Sequence, residues 1–124
     1  MAEIKIDKTD EAALAEIKAV YDDKEAEING NIYTFTKTTH QKRLSVFAYM
    51  TKIQRQITDG DLSFFADKEF KAIQNIIDNV VMYEGSLLSK LPEHWEEHEE
   101  EFTAFYMMAM GVFSYPFLRG RKQG

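Results

Sequence analysis

The chain has 124 residues, with 21 Asp plus Glu against 15 Lys plus Arg, a formal charge of -6 and no cysteine. That length holds one domain of ordinary size, and 44% apolar with 13% aromatic residues supplies a core that needs no covalent staples. The lack of cysteine removes disulfides, thiolate metal sites and cysteine nucleophiles, and a pI near 5.1 argues against a protein that works by neutralising phosphates.

Residues 1–9 alternate charge with isolated isoleucines and lack the apolar core of a secretion signal. Ile4 and Ile6, spaced by Lys5, suit a short edge strand or an arm. Asp10 is placed to cap a first helix, with Glu11 favourable at its positive end. Leu14, Ile17 and Tyr21 then recur at helical spacing, predicting a helix to about residue 22.

Between residues 25 and 36 the period changes to two. Ala26 and Ile28 precede Asn29-Gly30, and Ile32, Tyr33, Thr34 and Phe35 follow. Asn-Gly accepts the positive φ angles of a type I′ turn at little cost, so this segment is predicted to be a β-hairpin. Two strands alone are marginal, and the helices are expected to support them.

Thr38 or Thr39 offers a hydroxyl cap for a second helix running to about residue 59, with Leu44, Phe47, Tyr49, Met50, Ile53 and Ile57 on its apolar face. Gly60 supplies the left-handed residue expected just past it. Leu62, Phe64 and Phe65 read as a loop or short turn plugged into the core. A third helix is predicted over residues 67–84 from Phe70, Ile73, Ile76, Ile77, Val80 and Val81, with Gly85 as its stop.

Leu87, Leu88 and Leu91 lead to Pro92, a residue suited to a helix's first turn, so a last helix is predicted over residues 92–114 and ended by Pro116. Residues 119–124 form a basic, flexible tail. The fold class is therefore mainly α with a short β-hairpin (α+β): about four helices in one compact domain over residues 1–118. No segment reaches the roughly 18 uninterrupted apolar residues of a membrane span, and a soluble, cytoplasmic protein is expected.

The last helix carries the chemistry worth weighing. His94, Glu97 and His98 satisfy the H-x-x-E-H pattern of inverted zinc peptidases, with two imidazoles at i and i+4 able to reach one zinc ion. Six glutamates within residues 93–101 make that match unspecific, and a protease also needs a third ligand and a cleft. The alternative is a solvated acidic face anchored by Trp95. Those carboxylates suit a helix start yet repel one another, so a basic partner segment would relieve them. Behind them Phe102, Phe105, Tyr106, Met107, Met108, Met110 and Phe113 make an apolar helix, the central core element or in part an adaptable binding face.

The sequence shows no nucleophile-elbow serine and no Gly-rich phosphate loop, and His40 lacks an identifiable catalytic partner. No cofactor and no resident metal are expected. A basic edge of Lys37, Lys42, Arg43, Lys52 and Arg55 lies beside aromatics, but the overall charge speaks against nucleic acid. The candidate protein-binding residues are Trp95, Phe102, Phe105, Tyr106, Met108 and Phe113, flanked by Glu96, Glu97 and Glu100.

Glu27-Ile28-Asn29-Gly30 followed by Tyr33, Phe35, Thr39, Arg43 and Gln54 resembles the opening of the small tail assembly chaperones of long-tailed bacteriophages. Leu91-Pro92-Glu93-His94-Trp95-Glu96-Glu97-His98 and Ser114-Tyr115-Pro116-Phe117 resemble later segments of proteins in that class. The resemblance, over residues 25–118, implies a non-enzymatic protein of the infected host cytoplasm that coats the tape-measure protein and recruits tail-tube subunits. It implies no catalytic residues. Two other readings stay open: an acidic adaptor or inhibitor that binds a host protein, and a zinc-dependent hydrolase built on His94, Glu97 and His98. A homo-oligomer formed across the hairpin edges is also compatible with the pattern.

Overall fold

The structure, a computed structural model, describes residues 9–122, with side-chain environments over residues 11–118. Ile4 and Ile6, read as a strand or arm, lie outside the described residues. The described residues fold into a mainly helical α+β domain in which six helices pack around a small antiparallel sheet.

Helix α1 spans Thr9–Asp23, so Asp10 falls inside its first turn instead of capping it. Strands β1 (Glu25–Ile28) and β2 (Asn31–Phe35) form the predicted hairpin, with Asn29 at φ 53° and Gly30 at φ 86°. Both central residues thus occupy the left-handed region that a type I′ turn requires. Ala26, Tyr33 and Phe35 face the core, while Ile32 on the opposite face is 43% exposed.

Helix α2 (His40–Lys52) starts where Thr39 accepts a hydrogen bond from the Lys42 backbone N–H at 3.2 Å. This cap satisfies one of the orphan donors of the first turn, and Thr39→Ala should lower the unfolding free energy by about 1 kcal/mol in urea denaturation. The helix predicted to reach residue 59 is interrupted at Ile53, whose φ of -98° and ψ of 8° leave helical geometry. A short helix α3 (Gln54–Thr58) follows, and Gly60 at φ 77° provides the expected left-handed exit. A 3-10 turn (Ser63–Ala66) then buries Phe64 completely, as the plug reading anticipated.

The predicted third helix ends early. Helix α4 covers Lys68–Asp78, and the chain turns at Asn79 into strands β3 (Val81–Tyr83) and β4 (Ser86–Leu87). Glu84 at φ 51° and Gly85 at φ 85° make a second tight turn, so Gly85 serves a hairpin and not a helix stop. Strand β3 pairs with β2, placing Phe35 opposite Val81 and Tyr33 opposite Tyr83 in a sheet of order β1-β2-β3-β4. Pairing with β2 outweighs the helical spacing because β-branched Val81 joins the ladder opposite Phe35 and is buried together with Val80.

The last helix differs at both ends from its prediction. Residues 92–101 form a short helix α5 (His94–Glu97) and a 3-10 turn (Glu99–Glu101), and helix α6 runs over Phe102–Lys122. His98, at φ -131° and ψ 41°, breaks the acidic stretch, where a continuous helix would hold six carboxylates in stacked turns. At the other end α6 passes through Pro116, and residues 119–122, read as tail, continue its backbone. The ring removes one N–H, but packing beyond it keeps the helix intact. Phe117 stacks on Phe47 of α2 at 4.9 Å, and Tyr115 lies 5.0 Å from Tyr21 of α1.

Helix α6 is the core element, with α1 and α2 on its flanks and Phe105, Tyr106, Ala109, Met110 and Phe113 buried. Gly111 marks its closest approach to α1: a Cβ there would lie 2.6 Å from Ile17 Cδ1. No helix among the described residues is long and apolar enough to cross a membrane.

Candidate functional site

The acidic segment is pinned to the domain by three side chains that turn inward. His94 is 6% exposed and Glu101 4%, while the Trp95 ring lies between Tyr33 and Tyr106. Seven residues separate His94 from Glu101, two helical turns, which keeps both on the inner face despite the break at His98. Glu96, Glu97 and Glu100 are left exposed on the outer face.

Glu101 is a buried carboxylate held by neutral donors. The Tyr33 hydroxyl donates to Oε1 at 3.1 Å, and the Asn31 amide donates to both oxygens at 3.1 and 2.9 Å. The Tyr83 hydroxyl in turn donates to Asn31 Oδ1 at 3.0 Å. A carboxylate only accepts, so the single Tyr33 proton goes to Glu101 and the His94 Nε2–H, 2.8 Å away, donates to the Tyr33 oxygen. Burial, then the Glu101 carboxylate beside it, pushes the Tyr33 phenol well above its ordinary value.

This assignment leaves His94 Nδ1 as a bare acceptor with no partner among the described residues. Desolvation, then the neighbouring His98, holds His94 below the usual histidine range, which favours the neutral ring. His98 Nδ1–H donates to the His94 carbonyl at 2.9 Å, and the two rings stack 4.2 Å apart at 18°. No three metal-ligating side chains among the described residues are grouped to hold one ion.

A second network lies beneath Trp95. Its indole N–H donates to the Tyr106 hydroxyl at 3.1 Å, Gln74 donates to the same oxygen at 3.2 Å, and Tyr106 donates its own proton to Asp78. Every bonding position of that hydroxyl is used. Desolvation raises the Asp78 carboxyl to about 6, opposed by the Tyr106 hydrogen bond. The two networks tie the acidic segment to β2 on one side and α4 on the other.

No protein-family model, curated protein or solved structure matches this chain.

The structure divides the predicted binding residues. Phe105, Tyr106 and Phe113 are at most 1% exposed and belong to the core, so they offer a partner no surface. They are buried because α6 is enclosed by α1, α2 and α4, with Tyr33 of the sheet against Phe105. Trp95, Phe102 and Met108 are half-buried, and Glu96, Glu97 and Glu100 are exposed. Sequence reasoning missed Asn31, Tyr83, Asp78 and Glu101, whose roles arise from pairing between distant segments.

A groove of about 420 Å³ opens along the outer edge of the first network. Tyr83, Glu84, Glu93, His94, Glu97 and His98 line it, and Lys90 is the one cation in its wall. It joins the turn between β3 and β4 to helix α5, so it exists only because the second hairpin forms.

Proposed function

We propose that this chain is a non-enzymatic protein-binding factor, in its specific form a tail assembly chaperone of a long-tailed phage acting in the host cytoplasm. Its clients would be the tape-measure protein and tail-tube subunits. The observation that supports this reading is the outward array of Glu96, Glu97 and Glu100, on a segment anchored by buried His94 and Glu101 and by the half-buried Trp95. Anchored carboxylates keep their geometry, so they present fixed negative charge to a basic client segment while repelling other copies of the chain. The half-buried Trp95, Phe102 and Met108 add apolar contact beside that charge. The phage assignment rests on the sequence resemblance.

Co-expression tests it. The tape-measure protein should become measurably more soluble with the chain present, and Glu96→Gln/Glu97→Gln/Glu100→Gln should reduce the soluble yield while the variant itself stays folded. A client equally insoluble with and without the chain overturns the chaperone reading. Recovery of one stoichiometric host protein from infected-cell lysate would instead support the adaptor reading.

A further inference from the structure

The groove beside α5 is rich in acceptors, with Lys90 as the one cation in its wall. Glu84, Glu93 and Glu97 are exposed along it, and no lysine or arginine among the described residues pairs with any of them. An acidic cluster alone is only a solvated surface. His94 adds an independent feature: its ring is more than nine-tenths buried, lines the groove, and carries at Nδ1 a lone pair that nothing in the described protein meets. His98, with Nδ1–H committed to the His94 carbonyl, likewise has Nε2 left as its acceptor.

The wall between these acceptors is aromatic. Tyr83 lies 4.6 Å from the His94 ring and 5.5 Å from His98, and the two histidines stack on each other. Flat π surfaces beside carboxylates and bare ring nitrogens call for a planar cation rich in N–H groups. A guanidinium meets all three demands: five donors in a fixed fork, delocalised charge and a face that stacks on aromatic rings. An ammonium supplies charge and donors without the stacking face.

We infer that the groove between the β3–β4 turn and α5 binds an arginine side chain of a partner protein, with Glu84 and Glu97 taking its charge and His94 Nδ1 accepting one of its N–H groups. This deepens the protein-binding reading and rests on it. Acid should weaken the interaction, because protonating His94 replaces an acceptor by a donor and adds positive charge to the site.

A blocked Gly-Arg-Gly peptide and its citrulline counterpart, which keeps the shape without the charge, make the test. In amide and side-chain NMR the arginine peptide should give saturable shifts at Tyr83, Glu84, His94, Glu97 and His98, with millimolar-range affinity expected for one side chain, about -4 kcal/mol. The citrulline peptide should give none. Glu84→Gln/Glu97→Gln should weaken binding roughly tenfold, since each exposed charge contributes modestly. Affinity should also fall as the solution is acidified from neutral pH. Equal shifts from both peptides, shifts scattered away from the groove, or indifference to the double substitution would overturn the inference. So would a blocked Gly-Lys-Gly peptide that binds as well as arginine. The outcomes separate cleanly: an unsubstituted chain that solubilises the client yet binds no arginine peptide ends the groove inference and leaves the chaperone reading standing.

Discussion

Glu101→Leu should lower the unfolding free energy by roughly 3 kcal/mol in urea denaturation at neutral pH. The substitution removes a charge from a site only 4% exposed, which by itself favours the fold. Against that, it strands the Tyr33 hydroxyl and the Asn31 amide, both of which donate to that carboxylate. Each orphaned buried donor costs about 1–3 kcal/mol, and leucine of similar volume offers neither an acceptor. The net sign is therefore destabilising. Tyr33→Phe removes the same bond from the other side and leaves the His94 Nε2–H without its acceptor. Because the groups form one network, the double variant Tyr33→Phe/Glu101→Leu should lose less than the two single losses combined. A single-variant loss below about 0.5 kcal/mol would mean that Glu101 turns to solvent and that the acidic segment is not anchored.

The same carboxylate illustrates what was legible in the chain. Local signals read well: Asn29-Gly30 makes the hairpin turn, Thr39 caps α2, Gly60 adopts the left-handed exit and Phe64 plugs the core. Each depends on a few adjacent residues, so a short window contains its cause. The second hairpin was hidden because Phe70, Ile73, Ile77, Val80 and Val81 keep a helical spacing across the true end of α4. What separates strand from helix there is β2, nearly fifty residues upstream, which offers β3 an edge to pair with. Pro116 misled for the opposite reason. Its local preference ends helices, but Phe117 on Phe47 and Tyr115 beside Tyr21 hold the helix through it. The acidic run looked uniform, and only its fit against Tyr33 and Asn31 distinguishes Glu101 from Glu96, Glu97 and Glu100. Charge in sequence gave the segment's sign, and tertiary packing decided which charges face outward.

Asp78→Asn should stabilise the protein at neutral pH by roughly 2–3 kcal/mol and leave it nearly unchanged near pH 4. Desolvation lifts the Asp78 carboxyl from its ordinary 3.8 to about 6 in the folded chain. A folded pKa above the unfolded one means that the native state holds the proton more tightly. The associated stability is fully present below about pH 4 and is lost as pH rises through about 6, where the native carboxylate ionises. Asparagine keeps an oxygen to accept the Tyr106 hydroxyl proton and carries no charge at any pH, so it retains the hydrogen bond without the desolvation penalty. Subtracting wild-type from variant urea curves at a series of pH values isolates this group from the surface carboxylates, which titrate alike in both proteins. The difference should rise between about pH 4 and 6 and then level off. A flat difference would place Asp78 in contact with water in the folded state. The site lies under Trp95, whose indole donates to the same Tyr106 hydroxyl, so indole fluorescence should report the ionisation in the wild type and lose that step in the variant. At neutral pH the charged Asp78 thus loosens the floor on which the acidic segment rests, and at acid pH its proton firms it.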